Sequence, residues 1–311
     1  MATTIQKYTK KAILGAIETS YGVATALTPA SAILAAKLEI TPLETETTKL
    51  EYDMPYKGNT PTIMTARKST IKFDVYLVGS GTAGTPPPWG FLLRACSMAE
   101  VISATKVEYL PISDAEESAY FEVSVDKTVH AILGARGTVV IKLDAKEVPM
   151  ASFTFEGLFT DPIAQSNLPS VNYSAFKNPQ GALTGQTTDF KINNFTAPLK
   201  MLELDVSNEL VHANLIGYEE VISPKREPKG SLSFICPTIT ELDWGKLVQS
   251  PDGVPLQITH DNRAGYKVSI KAPNVQLTEA KYADQDGILM LETNLTYLPK
   301  AGNDEFAIIC E

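Results

Sequence analysis

The chain has 311 residues, 44% of them hydrophobic and 20% charged. That is enough apolar material for the cores of about two domains and too much for a disordered polymer. Its formal charge of −9, from 36 acidic and 27 basic residues, argues against tight binding to a phosphate backbone, which needs clustered lysine and arginine to displace counterions; DNA could still pass nearby without sticking.

In chain order, Lys10 and Lys11 precede an apolar stretch, Ala12 to Ile17, that Glu18 ends. This is shorter than the apolar core of a secretory signal, so no leader is expected, and no run approaches the roughly 20 apolar residues of a membrane span. Residues 1–36 are rich in Ala, Thr and Ser, with turn signals at Tyr21-Gly22 and Thr28-Pro29. They are expected to form an extended arm with one helical turn near Ala30 to Ala36, and the apolar Ile13, Leu14, Ile17 and Tyr21 suit it to docking on a neighbouring subunit.

From Lys37 onward alternation dominates. Lys37 to Ile40, Thr70 to Leu77, Lys106 to Leu110, Tyr120 to Val125, Gly137 to Leu143 and Ala151 to Phe159 all read as strands, each with one wet face, as in an antiparallel sandwich or barrel. One short helix is expected where Pro86-Pro87-Pro88 leads into Trp89, because Trp89, Leu92, Leu93 and Cys96 form a stripe at helical spacing. Residues 166–198 carry Pro169, Pro179, Gly181, Gly185 and Pro198 and read as a linker.

Residues 199–311 then repeat residues 37–165. Leu202-Glu-Leu204 matches Leu38-Glu-Ile40, and Gly230 to Phe234 matches Ser69 to Phe73. Trp244-Gly245 matches Trp89-Gly90, the only two tryptophans in the chain, and Gly265 to Lys271 resembles Gly137 to Lys142. Ile288 to Leu295 occupies the place of the Phe153 to Phe159 strand. The order is kept throughout, and a repeat this long means two similar domains rather than a solenoid. The expected fold is therefore all-β: an arm at 1–36, a first β domain at 37–165, a linker at 166–198 and a second β domain at 199–311, each domain with a short flanking helix.

Motifs for chemistry are weak. Gly79-Ser-Gly81-Thr-Ala-Gly84 has the letters of a dinucleotide fingerprint, but Thr85 and three prolines separate it from the helix whose N-terminus would have to meet the pyrophosphate. His130, His212 and His260 lie far apart, and Cys96, Cys236 and Cys310 show no metal-ligand spacing. The cysteines read as reduced, buried thiols. Asp284-Gln-Asp286-Gly287 partly matches a calcium loop, but Leu295 stands where the closing glutamate belongs; a tight turn is expected instead. The acidic pairs Glu116-Glu117, Glu219-Glu220 and Glu44 with Glu46 read as solvated faces. No catalytic, cofactor-binding or metal residue is assigned, and the chain is expected not to be an enzyme.

Several segments together resemble the major tail tube proteins of siphophages, the phages with long non-contractile tails. They are Leu38-Glu-Ile-Thr-Pro-Leu43, Pro61 through Val75, Gly79 through Cys96 with its Trp-Gly-Phe-Leu-Leu-Arg-Ala-Cys run, and Leu133-Gly-Ala-Arg-Gly137 with the strand that follows. The resemblance is clear over about residues 12–165 and reaches the second half through the repeat. It implies β-sandwich or barrel domains whose sheets join around a pore, and rings that stack into a DNA-conducting tube. The duplication implies the T5-like arrangement, trimeric rings with pseudo-sixfold symmetry. Implied partners are further copies of the chain, a tape measure protein and then genomic DNA in the lumen, and terminator and distal tail proteins at the ends. Implied contacts with the neighbouring ring fall on residues 1–36 and 41–68, and the net negative charge suggests a lumen wall that repels the duplex. The implied location is the virion, after synthesis in the host cytoplasm. Another tail ring component or a carbohydrate-binding β-sandwich module is the alternative.

Overall fold

A computed structural model describes residues 5–184 and 190–311; Gly185, counted above in the linker, lies outside them. The fold is mainly β, as the alternation implies. In the first half the strands are β1 (Lys11–Ile17), β2 (Ala36–Lys49), β3 (Thr62–Tyr76), β4 (Met98–Ile102), β5 (Val107–Pro111), β6 (Ala119–Val125), β7 (Thr128–Asp144), β8 (Met150–Phe159) and β9 (Ile163–Ala164), with helix α1 (Gly90–Arg94) between β3 and β4. In the second half they are β10 (Lys191–Ile192), β11 (Phe195–Thr196), β12 (Leu199–Asp205), β13 (Asn208–Leu215), β14 (Tyr218–Arg226), β15 (Lys229–Ile235), β16 (Val254–His260), β17 (Val268–Leu277), β18 (Lys281–Gln285), β19 (Ile288–Tyr297) and β20 (Ala307–Cys310), with helix α2 (Trp244–Gln249) between β15 and β16. The ladders among the described residues are all antiparallel, and those outside the β13–β14 hairpin form one connected sheet system.

The pairing order is the same in the two halves. The first runs β2-β3-β8-β7-β6-β1. The second runs β12-β15-β19-β17-β16-β10. β17 and β18 both pair with β19, β17 through Val275 to Leu277 and β18 through Lys281 to Gln285, so together they take the place that the single long β7 takes beside β8. The hairpin β13–β14 sits between β12 and β15, where the first half has the long β2–β3 arm.

The core follows from the alternation. Ile71, Phe73, Val75, Phe153, Phe155, Val139 and Ile141 are buried on one side of the first sheet. Phe121 and Phe155 meet at 4.9 Å between ring centroids, and Phe73 stacks on Phe153 at 5.8 Å. Leu202, Leu204, Leu232, Phe234, Leu291 and Leu295 do the same in the second half, and the two sets join in one contiguous cluster. Full burial of each such side chain is worth about 1.5–3 kcal/mol, and the shared cluster joins the two halves through one core.

The stretch expected as a free arm is only partly free. Lys11–Ile17 is strand β1, paired with β6 in register from Lys11↔Val125 to Ile17↔Ala119, and Ile13 and Leu14 are buried in the chain's own core. A continuous apolar run such as Ala12-Ile-Leu14 lacks alternation because it is covered on both faces. The expected helical turn is a 3-10 turn at Pro29–Ser31. The stretch read as linker is also not uniform: Phe190, Ile192 and Ala197 are buried, and β10 pairs with β16.

Candidate assembly interface

The place where the two halves meet shows how this chain makes joints. β7 is long enough to pair with β6 through Thr128 to Ala135 and then, past a bulge, with β12 through Val140 to Asp144. The centre of that ladder sets Lys142 against Glu203, with Nζ 2.9 Å from the carboxylate. The carboxylate beside Lys142 raises its pKa above the ordinary lysine value. A second ladder joins β20 to β5, from Ile308↔Tyr109 to Cys310↔Val107. Strand edges left open are templates for such pairing, and here one edge from each half closes the other.

Two further contacts lock the joint. The Gly79 and Gly81 amides donate to the Tyr266 and Gly265 carbonyls at 3.0 and 2.9 Å. A Cβ on Gly79 would stand 2.3 Å from the Gly265 oxygen, so only glycine lets the backbones approach. The β13–β14 arm then lies over the first half. Arg136 Nη1 donates to Glu220 Oε1 and to the Val221 carbonyl, both at 2.7 Å. The Tyr21 hydroxyl accepts from the Val221 amide at 2.6 Å, and burial pushes the Tyr21 pKa up to about 12, keeping the phenol neutral. Asn208 Nδ2 donates to the Cys96 and Gly137 carbonyls, both at 2.9 Å.

The motifs weighed in the sequence fall into this framework. The Gly-rich loop is a backbone-to-backbone contact with the second half. His130, His212 and His260 stand on β7, β13 and β16, and His212 Nε2 pairs with Glu219 across its hairpin at 3.0 Å. Glu117 is held by Arg94 at 2.6 Å, Glu220 by Arg136, and Glu44 lies 3.8 Å from Lys68. Asp286 and Gly287 form the β18–β19 turn with φ of 53° and 82°, and the Gly287 amide donates to Asp284 Oδ1 at 3.1 Å. Cys96 and Cys310 are buried free thiols, whereas Cys236 is only half-buried; burial pushes the Cys310 thiol up to about 12. Among the described residues, no three His, Cys, Asp or Glu side chains gather as a metal site.

The side of the sheet away from the core is polar. Lys72, Thr154, Lys142, Glu203, Glu292 and Asn294 lie there, and Lys142–Glu203 and Lys200–Glu292 are paired at 2.9 and 4.0 Å. Both signs are interspersed, so this face is neither a basic strip nor the uniformly acidic wall that net charge alone suggests. The strand edges left open among the described residues include those of β2, which pairs only with β3, and of β18, which pairs only with β19. Sequence reasoning missed the joint strands β5, β12 and β20 as joints, because an edge is a property of pairing and not of any motif.

Strand edges, glycine contacts and an ion pair thus join the two halves into one open, branched antiparallel sheet system, that of a mainly β protein with strand edges still unpaired. The family model described as phage tail tube protein matches residues 9–296, and the chain belongs to that family. It is a structural component of a phage virion that self-assembles into a tube. No curated protein matches the chain, and no helix among the described residues is long and apolar enough to cross a membrane.

Proposed function

We propose that this protein is the major tail tube subunit of a long, non-contractile phage tail, made in the host cytoplasm, with three copies per ring and rings stacked into the DNA-conducting pipe. The observation that carries this reading is the shared pairing order of the two halves. Two like units per chain supply six like units from three chains, and identical heterologous joints generate a ring when the rotation closes. The halves are read as two tandem tail-tube domains, about 37–165 and 199–311.

On this reading the polar sheet face around Lys72, Lys142, Glu203 and Asn294 lines the lumen. Lysines there stand beside carboxylates, so a duplex finds no clustered cations from which counterions would be released. At physiological salt the Debye length is about 8 Å, so residual repulsion acts only at close approach. The tip of the β2–β3 arm, residues 50–61, reaches the next ring; Tyr52 and Tyr56 are exposed on it. The tape measure protein fills the lumen before DNA does, and terminator and distal tail proteins close the ends. Negative-stain and cryo-electron microscopy of the purified full chain tests the reading: stacked rings with three copies each are expected. A single closed ring that never stacks would instead mark a terminator or baseplate component.

A further inference from the structure

Residue-level equivalence between the halves follows from the ladders. Phe73 faces Phe153 and Phe234 faces Leu291. Val139 faces the same Phe153, and Tyr282 faces the same Leu291, so Val139 corresponds to Tyr282. One turn of sheet earlier, Ile132 faces Phe159 and Val275 faces Tyr297, which gives the same offset with no gap. The edge of β7 used in the joint therefore corresponds to β18 and its turn. On the other side, Ile40 faces Ile71 and Leu202 faces Leu232, so the edge of β12 used in the joint corresponds to β2 around Glu39 to Leu43.

Both of these edges are open, and they are the counterparts of the two edges that the chain joins internally. Their surroundings also carry the mark of a missing cover. Val139 and Ala151 are fully buried, whereas their counterparts Tyr282 and Leu289 are 56% and 51% exposed. Leu202 is fully buried, whereas its counterpart Ile40 is half-buried. Trp89 is sealed, whereas Trp244, which touches Tyr282 edge-on at 5.7 Å, is half-buried.

We infer that β18 of one copy pairs antiparallel with β2 of the next copy, repeating between chains the β7–β12 joint that links the halves within one chain. The central pair of the internal joint, Lys142 with Glu203, then becomes Gln285 with Thr41. The occupant of each edge is a second copy of this chain, since each copy carries one edge of each kind and the internal joint shows that the two kinds fit. The base of the β2–β3 arm falls over the neighbour's β18–β19 hairpin as β13–β14 falls over β7 and β8, covering Tyr282 and Leu289. This inference rests on the tube reading and adds to it which strands close the ring.

The test is disulfide capture in the assembled full chain. In a Cys236→Ser background, Thr41→Cys with Gln285→Cys is oxidised and run on a denaturing, non-reducing gel. Covalent multimers ending at the ring size are expected from the double variant and from neither single variant. As a second arm, Thr41→Glu with Gln285→Glu should abolish rings while leaving the monomer's melting temperature unchanged, and Thr41→Lys with Gln285→Glu should assemble. Rings or tubes seen by microscopy, with no captured multimers and with both charge variants assembling alike, would overturn this joint while sparing the tube reading. A chain that stays monomeric at every concentration would remove the tube reading and this joint with it.

Discussion

Arg136 of β7 and Glu220 of β14 stand 2.7 Å apart with the arginine side chain only 11% exposed, so one guanidinium of the first half carries the arm of the second. The same Nη1 reaches the Val221 carbonyl, and the cation lies 5.1 Å over the Tyr21 ring. The arginine thus fixes three elements that are distant in sequence: the segment after β1, the β7 bulge and the β13–β14 hairpin.

Arg136→Ala should therefore destabilise the subunit by about 2–3 kcal/mol, because a carboxylate and a buried carbonyl both lose a charged donor. The check is the midpoint of denaturant unfolding. Arg136→Lys should recover only part of the loss, since an ammonium cannot present the two-pronged geometry. Equal stability of the alanine variant and the parent would mean that the arm is held by its apolar contacts alone.

The glycines of the joint give a graded prediction. Gly79→Ala drives a methyl onto the Gly265 carbonyl, a backbone atom that cannot swing away, and should cost about 1–3 kcal/mol. Gly287→Ala meets nothing within 4 Å but must adopt φ of +82°, so only the left-handed backbone penalises it, by about 1 kcal/mol. Thermal melts of the two variants should rank in that order. The reverse order would show that the Gly79 loop relaxes away from the second half.

Much of this fold was legible in the chain. Period-two stretches such as Thr70 to Leu77 and Ala151 to Phe159 were readable because one face is buried and the other wet. The Trp89 stripe marked α1 for the same reason at helical period. β1 was not readable as a strand, because Ala12 to Leu14 are buried on both faces and the alternation vanishes. The β13–β14 hairpin was hidden too: its tip residues Leu215 and Ile216 are exposed, so apolar character there reports no core. The joint itself was invisible, since pairing β7 with β12 depends on the length of β7 beyond β6. The contact of the Gly79 loop with Gly265 and Tyr266 is long-range and leaves no local pattern.

The two tryptophans should behave differently in the isolated subunit. Trp89 is fully buried and its Nε1 donates to the Val78 carbonyl at 2.9 Å. Trp89→Phe leaves that carbonyl unpaired and opens a cavity, at a cost of about 2–4 kcal/mol. Trp244 lies at the partly covered end of the second half, and Trp244→Phe should cost less than about 1 kcal/mol. Acrylamide should quench the fluorescence of the Trp89→Phe variant, which reports Trp244, and leave that of Trp244→Phe largely intact. Equal quenching would contradict the sealed position of Trp89.

Acid should weaken the subunit through His260, which is buried, and His130, which is half-buried. His260, 1% exposed at the end of β16, is held below the ordinary histidine value by burial, with Asp261 opposing the shift. Burial lowers His130 in the same direction. In both cases the unfolded chain takes up a proton, near pH 6.5, before the folded chain does, so stability is greatest above that pH. It falls as the pH drops through 6.5 toward the folded value, below which the loss levels off. Melting temperatures between about pH 7.5 and 5 should decline, and His260→Gln should flatten part of that decline while His130 supplies the remainder. A variant with an unchanged slope would mean that His260 charges as freely in the folded subunit as in the unfolded chain, and that its burial in the β16 end carries no penalty.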